Sequence, residues 1–446
     1  MQEGELVYAA NAVSSKEARW FEELGIHKSS DYYLVQFDTA GGNEIDSQSI
    51  KIGKTAKKPK NPTKQGHVFL GWYYLQEIET EEEPTYEEKE FDFNTKIISN
   101  YNLYAKYSGE AVIMAVNWNK AFWQEIYRTK ITSIVFTKDS SLIPSAPLNS
   151  WDVEADKNCA KIKAYLAKDE TDNSLYKLIV YSEYTIYANP NTSAYFWGFS
   201  KLQSITFNNF DTSKATTMRS MFNNCKELLT LDINIFNTKN VSTMYAMFVG
   251  CKKINSINLS SINTTNVTTM NQMFSGCSSL ISLDLSNFDT PNVTDMSMMF
   301  YNCKELTSLD VSNFNTANVT KMNGMFFRCN KITSLNLNNF DTSNVTDMKS
   351  MFREMSGITS LDLSSFDTSK VINMDGLFWL DKKLITVYVG EKWSTSNLAD
   401  SDNMFYNCTS LIGEKGTKYN SNKPRDKTYA HIDEGASNPG YFTFKK

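Results

Sequence analysis

Histidine is scarce in this chain, and the motifs that bind phosphate or metal ions, or that activate a nucleophile, are missing from it. Its three histidines, His27, His67 and His431, are scattered over the two ends of the sequence. No glycine-rich phosphate loop, His-Glu-x-x-His motif or nucleophile elbow occurs. The sequence therefore predicts a protein that is not an enzyme and that has neither a cofactor nor a bound metal.

An excess of basic residues and a long apolar run are also absent. The formal net charge is −5 with no basic stripe, which disfavours a nucleic acid as partner. No apolar run approaches the ~20 residues that span a bilayer, so we expect no membrane insertion. Residues 1–5 lack the basic and apolar regions of a signal peptide. Two expectations remain, a cytosolic protein or an exported one whose leader is absent from this chain, and the resemblances below favour the second.

What the chain does contain is a 26-residue repeat in six nearly identical copies. They begin at Met218, Met244, Met270, Met296, Met322 and Met348. One copy reads Met270-x-x-Met273-Phe274-x-x-Cys277-x-x-Leu280-x-x-Leu283-Asp284-Leu285-x-x-Phe288-Asp289-Thr290. A fixed period of this length is typical of solenoids, whose repeats stack on one another and whose ends need caps. Since solenoids present long surfaces, the repeat favours binding over catalysis.

Each repeat is predicted to contain a short strand followed by a turn. Apolar and polar residues alternate around Leu283 and Leu285, which predicts a strand with both leucines buried. The Phe-Asp-Thr sequence at residues 288–290 is predicted to bend the chain, with Asp289 and Thr290 bonding nearby backbone amides. The Asn-Val-Thr runs at Asn266, Asn292, Asn318 and Asn344 fit the glycosylation pattern, but we interpret them as turn residues of the repeat.

The opposite side of the repeat carries methionine and phenylalanine at three- and four-residue spacing. Val293, Met296, Met299 and Phe300 predict a helical or 3₁₀ turn there. A methionine stripe also occurs at copper and haem sites, yet no histidine accompanies this one, so we interpret the methionines as core residues.

The cysteines follow the repeat. Cys225, Cys251, Cys277, Cys303 and Cys329 are 26 residues apart, and Cys408 occupies the same position of a later copy. Met355 replaces cysteine in the sixth copy. A metal site or a disulfide would not tolerate that exchange, so we predict six buried, reduced thiols that act as small apolar side chains.

The exposed face of the predicted strands is the candidate binding surface. Asp232, Asp284, Asp310 and Asp362, with Asn258 and Asn336, are predicted to form a column of polar side chains. Paired carboxylates could act as acid and base or hold Ca²⁺, but these are alike along the stack, whereas catalysis needs unequal environments. The predicted ligand-binding residues are Asp232, Ser282, Asp284, Ser286, Ser308, Asp310, Ser312, Asp362 and Tyr388.

The repeat closely resembles that of BspA-type bacterial surface proteins. Its core Leu-x-x-Leu-x-Leu is similar to leucine-rich repeats, while the Phe-Asp-Thr and Met-Phe-x-x-Cys segments are similar to the BspA type. Ordinary leucine-rich repeats carry Asn where this chain has Phe236, Phe288, Phe314, Phe340 and Phe366. The resemblance implies a mainly β, right-handed leucine-rich-repeat solenoid and a phenylalanine spine in place of the asparagine ladder.

A second resemblance precedes the first. Residues 37–42 (Phe-Asp-Thr-Ala-Gly-Gly), 69–73 (Phe-Leu-Gly-Trp-Tyr) and 103–107 (Leu-Tyr-Ala-Lys-Tyr) resemble one internalin-type B repeat, which implies a small β-grasp domain. The segments 33–37 and 45–50 flank the Gly-Gly pair, and this arrangement predicts a hairpin. We interpret the acidic stretch 77–90 as a solvated loop and residues 12–28 as a short amphipathic helix.

These observations predict five segments. They are an N-terminal segment with a short helix (1–30), a β-grasp B repeat (31–108), a solenoid N-terminal cap (109–200), the leucine-rich-repeat solenoid (201–411) and a C-terminal cap (412–446).

The predicted function is that of an extracellular or cell-surface bacterial binding protein, an adhesin. The resemblance implies host matrix or cell-surface proteins, or neighbouring cells, as partners of a monomeric chain. Two alternatives remain, a passive structural spacer on the cell envelope and a glycan-binding module that uses the polar face and aromatic residues such as Tyr388 and Trp393.

Overall fold

The computed structural model describes residues 7–8, 27–28, 32–64, 67, 69–78, 85–107, 110–116, 121–155 and 159–446. The chain forms two compact units, Met1–Ala111 with Asp156–Ala160, and Val112–Ala155 with Lys161–Lys446. The described residues are mainly β, with one helical turn, α1 (Glu125–Arg128).

The first unit is built around a five-stranded mixed sheet. The sheet consists of β3 (Tyr32–Asp38), β4 (Gln48–Lys51), β5 (Phe69–Ile78), β6 (Thr85–Glu90) and β7 (Tyr101–Tyr107), while β1 (Val7–Tyr8) and β2 (His27–Lys28) form a separate parallel pair. The sheet has the order β4-β3-β7-β5-β6, in which β3 and β7 are parallel and the other neighbours antiparallel. Trp72, Val35 and Leu103 lie in its core because alternate residues of each strand face the same side.

Three predictions for this unit can be compared with the structure. The hairpin around the Gly-Gly pair is present, with its second strand beginning at Gln48. The acidic stretch is not a loop throughout, since β5 and β6 form an antiparallel hairpin with residues 79–84 outside the described part. Its charges are used across the sheet, where Glu88 accepts a hydrogen bond from Tyr104 at 2.6 Å. The helix predicted for residues 12–28 lies outside the described residues, except that His27–Lys28 is a strand paired with β1.

The second unit begins with another five-stranded sheet. Its strands are β8 (Ile131–Thr137), β9 (Asn149–Asp152), β10 (Lys163–Lys168), β11 (Tyr176–Tyr181) and β13 (Ser204–Phe207), with the order β13-β8-β11-β10-β9. Two shorter strands, β12 (Ile186–Tyr187) and β14 (Phe210–Asp211), pair in parallel. A 3₁₀ turn spans Ser140–Leu142.

In the repeats, the alternation of buried and exposed residues is as predicted, but strands longer than one residue are confined to the ends. Between them, single-residue parallel bridges join successive repeats, as Thr269 with Asp295 and Asp295 with Lys321. The strands are β15 (Thr230–Asp232), β16 (Ser256–Asn258), β17 (Ser360–Leu363), β18 (Thr386–Val389) and β19 (Phe442–Phe444), and two 3₁₀ turns span Lys427–Tyr429 and Gly435–Ser437. Leu283 and Leu285 are buried and Asp284 is exposed, yet no strand is assigned within the fully described stretch 259–359. Side-chain alternation predicts which residues are buried, but a ladder also depends on the spacing between neighbouring backbones.

The segment 270–277 is a run of overlapping β-turns, so the prediction of a helical or 3₁₀ turn was wrong. The Met273 amide donates to the Met270 carbonyl at 3.0 Å, as in a β-turn. Gln272 and Gly276 have φ values of 61° and 76°, in the left-handed region, and so interrupt any right-handed helix. Both structures place apolar side chains three or four residues apart, which is why the spacing alone did not distinguish them.

Alternate amides of these turns join each repeat to the next. The amides of Met270, Gln272, Phe274 and Gly276 donate to the carbonyls of Asp295, Ser297, Met299 and Tyr301, at 2.7 to 3.0 Å. The same 25-residue offset recurs from Met218, which donates to Thr243, to Met348, which donates to Asn373. Successive repeats therefore lie side by side in parallel, connected by backbone hydrogen bonds on the side of the turns.

Stacked phenylalanine rings run through the interior of this array. The rings of Phe196, Phe222, Phe248, Phe274, Phe300, Phe326, Phe352, Phe378 and Phe405 follow one another with centroids 5.1 to 6.0 Å apart and planes within 15° of parallel. The predicted spine of Phe236, Phe288, Phe314, Phe340 and Phe366 is also buried. Phe196, which precedes the first repeat, is thus part of the same stack.

The cysteine position lies beside this column. Cys225, Cys251, Cys277, Cys303, Cys329 and Cys408 are unbridged and buried, and each thiol donates to the carbonyl of the phenylalanine in the preceding repeat at 2.9 to 3.3 Å. Met355 and Asp381 occupy the same position in two later repeats. Asp381 is fully buried, its Oδ1 accepts from the Met355 amide at 2.6 Å, and its Oδ2 has no hydrogen-bond partner among the described residues.

Two columns of polar side chains, which follow the Phe-Asp or equivalent pair of each repeat, also connect neighbouring repeats. The buried Thr290 hydroxyl donates to the Asn315 carbonyl at 2.9 Å and accepts from the Asn315 amide at 2.8 Å. The Asn292 amide group donates to the Thr265 carbonyl at 2.8 Å. The threonine was predicted to bond nearby amides, but it bonds the next repeat instead, so it holds repeats together rather than shaping one turn.

Candidate functional site

The predicted binding face is exposed along most of its length. Side chains of Asp232, Ser282, Asp284, Ser286, Ser308, Asp310 and Ser312 are solvent-exposed, whereas Asp362 and Tyr388 are half-buried. Because equivalent residues are one repeat apart, the exposed members form rows of short polar side chains.

Each aspartate of this face accepts a hydrogen bond within its own turn. Oδ1 of Asp284 accepts from the Ser286 amide at 3.0 Å, and Oδ1 of Asp310 accepts from the Ser312 amide at 2.9 Å. These bonds from the Ser286 backbone and the Ser312 side chain and backbone lower the pKa of Asp284 and Asp310 respectively. Both carboxylates therefore stay ionised and give the face a negative charge while they hold its backbone.

Asp362 and Tyr388 belong to a more closed end of the same face. They are register partners of β17 and β18, and Tyr388 in turn faces Thr443 of β19. The Lys445 ammonium pairs with the Asp362 carboxylate and lies 5.7 Å from the Tyr388 ring centroid. Burial raises the pKa of Asp362, but the bonds from Lys445 and Ser364 outweigh it and hold the pKa below its usual value.

The aromatic residues at this end are largely engaged within the chain. The Trp393 indole N–H donates to the Ala430 carbonyl at 3.0 Å, and its ring lies 5.1 Å from Phe442. The structure therefore brings Asp362 and Tyr388 together, keeps the exposed aspartates apart in rows, and leaves Trp393 with a structural contact.

A second surface, which the sequence analysis missed, lies on the side of the β-turns. We call it the aromatic–arginine stripe and define it as Tyr301, Phe327, Arg353, Trp379, Tyr406 and Arg425. Neighbouring groups are 4.1 to 5.0 Å apart from ring centroid to ring centroid or to the guanidinium carbon. All six are half-buried. Five of them directly follow the stacked phenylalanine of their repeat, so a comparison of that position across repeats would have found them.

Charged residues surround the stripe. A recess between repeats is lined by Lys304, Glu305, Arg328, Asn330, Lys331 and Glu354. Arg328 forms two hydrogen bonds with Glu354, with Nε to Oε2 at 2.8 Å and Nη2 to Oε1 at 3.4 Å. Lys331 pairs with Glu305. This side of the repeats thus differs in charge and residue type from the aspartate-rich face.

The described ranges contain no helix of the length and apolarity that a bilayer crossing requires. The chain is similar to two proteins of Evansella cellulosilytica. One, named "Putative membrane protein", is 39% identical over 77 residues, which is 17% of this chain and 10% of that protein. The other, named "Putative Gly-rich membrane protein", is 36% identical over 76 residues, 17% of this chain and 8% of that protein. The chain therefore spans about a tenth of the length of the curated relatives it matches.

Two families match the two units. The Listeria-Bacteroides repeat domain matches residues 33–106, the region of the first five-stranded sheet. Two overlapping matches to a second family cover residues 191–309 and 294–419, which is just over half of the 446 residues. With the names of the relatives, these matches indicate a bacterial surface protein made of repeats. Because the matches to that second family cover more than half of the chain, the chain belongs to the family described as Mycoplasma protein of unknown function, DUF285.

Proposed function

We propose that this chain is an extracellular binding protein of a bacterial surface, an adhesin of the BspA type, whose repeats present the exposed polar face to protein ligands. The observation that supports the proposal is the constant one-repeat offset of the inter-repeat hydrogen bonds. That offset sets equivalent side chains such as Asp284 and Asp310 in rows. A ligand with its own repeated groups could then contact many of them at once.

The proposed architecture has a β-grasp domain of the internalin B type at residues 31–108, caps at 109–200 and 412–446, and a right-handed leucine-rich-repeat solenoid at 201–411. The parallel central pair β3 and β7 supports the β-grasp assignment. The stacking of Phe196 on Phe222 and the pairing of β19 with β18 support caps that cover the two ends of the repeats.

The residues of the polar face suit a weak, extended contact. Serine and aspartate lose little side-chain entropy when a ligand binds, but they provide none of the large anchors that dominate tight interfaces. We therefore expect modest affinity for each molecule and strong attachment only when many copies are displayed. The proposed ligands are host matrix or cell-surface proteins, or neighbouring cells.

The test removes charge without removing the turn. In the D284N/D310N variant, an amide oxygen can still accept the bond from the residue two positions later, as Asn258 does from Ser260 at 3.2 Å. Beads coated with this variant should attach to purified matrix proteins severalfold less than beads coated with the unchanged chain. The matched control is D341N/D367N, which makes the same charge change at two other turn-forming aspartates.

Equal attachment by both variants and the unchanged chain would contradict a role for the polar face. Binding to carbohydrate arrays in place of proteins would favour the glycan-binding alternative. An absence of ligand in both assays would favour the spacer.

A further inference from the structure

The aromatic–arginine stripe consists of the residue types that dominate binding energy at protein interfaces. Trp379, Tyr406 and Arg353 are of the three types most enriched among hot spots, and the polar face contains none of these at its exposed positions. They are half-buried and stacked, so a partner would meet side chains that are already held in place.

The guanidinium groups of the stripe are fixed by the rings. The guanidinium carbon of Arg353 lies 4.8 Å from the Phe327 ring centroid and 4.1 Å from that of Trp379. That of Arg425 lies 5.0 Å from the Tyr406 centroid. Arg353 Nε donates to Glu354 Oε1 at 3.4 Å, and Arg425 Nη2 donates to the Ser421 carbonyl at 3.1 Å. The other N–H groups of each guanidinium lie in its plane, away from the stacked ring, where the planar fork matches a carboxylate.

The charge around the stripe has the opposite sign from that of the whole chain. The whole chain carries −5. Near the stripe, basic residues outnumber acidic ones; they are Lys304, Arg328, Lys331, Arg353, Lys382, Lys383, Lys423 and Arg425 against Glu305, Glu354, Asp402 and Asp426. Both glutamates are already paired with bases, Glu305 with Lys331 and Glu354 with Arg328. The surface is thus complementary to a negatively charged partner.

Guanidinium groups already lie over ring faces within the stripe. Phe327 has Arg353 at 4.8 Å and Arg328 at 5.2 Å from its centroid, and Trp379 has Arg353 at 4.1 Å. Since a base-stacking platform needs open ring faces, the stripe does not suit single-stranded nucleic acid. Mixed aromatic and arginine surfaces are typical of protein–protein interfaces.

We propose that the aromatic–arginine stripe is a docking surface for an acidic segment of a protein partner. This goes beyond the proposed function, because the stripe lies on the turn side of the repeats and uses none of the residues of the polar face. Carboxylates of the segment pair with Arg353 and Arg425, and its apolar groups contact the half-buried rings between them.

The experiment measures the binding of fluorescein-labelled poly-L-glutamate to the full chain by fluorescence anisotropy. The unchanged chain should bind, and R353Q/R425Q should weaken binding by about tenfold or more, because charged hydrogen bonds contribute strongly. The matched control is R128Q/R219Q, which removes two arginines stacked on Trp197 and Tyr245 at 4.4 and 4.1 Å, outside the stripe. It should bind within about twofold of the unchanged chain.

If R353Q/R425Q does not fold by circular dichroism, K382Q/K383Q replaces it, since both lysines are exposed and their loss should weaken binding severalfold. The proposal is overturned if poly-L-glutamate does not bind, or if the two arginine variants lose affinity equally. It is also overturned if heparin binding, but not poly-L-glutamate binding, depends on Arg353 and Arg425, which would indicate a sulfated glycan. D284N/D310N should bind poly-L-glutamate normally, so failure of this proposal and failure of the proposed function can be told apart.

Discussion

The repeats that begin at Met270 and at Met374 have equivalent backbone connections, but several of their side chains differ, including one buried position and one surface position. Gln272 donates to Ser297 at 2.9 Å, and the equivalent Gly376 donates to Asp402 at 2.8 Å. Cys277 of the earlier repeat corresponds to the buried Asp381 of the later one, and Ser275 corresponds to the stripe residue Trp379. The connections between repeats are made by backbone amides and stacked phenylalanines, so one buried and one surface position can change without changing them.

The largest effect should come from the phenylalanine column, which both repeats share. Phe274 lies 5.5 Å from Phe248 and 5.9 Å from Phe300, while Phe378 lies 5.9 Å from Phe352 and 5.7 Å from Phe405. Replacing either by alanine leaves a buried cavity and should lower the free energy of unfolding by about 3–5 kcal/mol. Urea denaturation of F274A and F378A would measure this. A loss in F378A well below that in F274A would show that the later repeats are packed differently.

The buried Asp381 should make the later repeats sensitive to pH. Burial raises the pKa of this carboxyl well above its usual value, and Cys408 and Glu354 are the titratable groups near it. The folded state keeps the proton while the unfolded state releases it near pH 4, so the contribution to stability is complete below about pH 4. It then falls as pH rises, by up to about 1.4 kcal/mol for each pH unit until the folded pKa is reached.

Two variants test this dependence. D381N cannot ionise, and D381C restores the residue of the column, so both should unfold at a higher temperature than the unchanged chain at pH 8 and by a smaller margin at pH 4. Thermal unfolding followed by circular dichroism would measure the difference. The same margin at both pH values would show that Asp381 does not titrate between them.

A smaller effect is expected from the threonine column. T290V keeps the shape of the side chain but leaves the amide and carbonyl of Asn315 without the hydroxyl that now bonds both, at 2.8 and 2.9 Å. Because Asn315 is exposed and these bonds are only partly buried, the loss of unfolding free energy should be about 1 kcal/mol, the lower end of the range for unsatisfied polar groups. T290S, which retains a hydroxyl, should lose less than half as much. If the two variants unfold alike, the methyl group rather than the hydroxyl matters at this position.

The reactivity of the cysteines should report the closed interior of the repeats without any change in stability. Burial raises the pKa of Cys251 and Cys303 to about 12, which keeps both thiols protonated at neutral pH. In the folded protein we expect a thiol reagent to label the half-buried Cys159 first and the six buried cysteines only after denaturation. Mass spectrometry would count the labels, and labelling of Cys303 in the folded state at the rate of Cys159 would contradict a closed interior.

Burial within the repeats could be predicted from the sequence, whereas backbone geometry could not. Leu283, Leu285 and the six cysteines are buried as expected, because burial follows from the identity of single residues repeated at one period. The turns at Gln272 and Met298 were missed, since a left-handed backbone is expected at glycine and rarely at these residues. Only the bonds to the neighbouring repeat make that conformation favourable.

The two candidate surfaces differ in the same way. The polar face was predicted because Asp284 and its equivalents recur with the period. The stripe was missed because its position holds Asn223, Val249 and Ser275 in the earlier repeats and becomes aromatic or basic at Tyr301 and after. Positions that the repeats share belong to the common fold, whereas the stripe occupies a position at which the repeats differ.

The one-repeat offset of the hydrogen bonds has a consequence for how such a chain can lengthen or shorten. Removal of one 26-residue unit would rejoin Met244 with the partners that Met270 now has, because each unit carries the same donors and acceptors. Removal of a different number of residues would shift the donors and acceptors at the junction relative to one another. The step from Met374 to Asp400 is 26 residues where the equivalent step from Met270 to Asp295 is 25, so a one-residue insertion is already accommodated there. Gain or loss of whole 26-residue units would therefore change the length of the array, while each retained side chain meets equivalent neighbours.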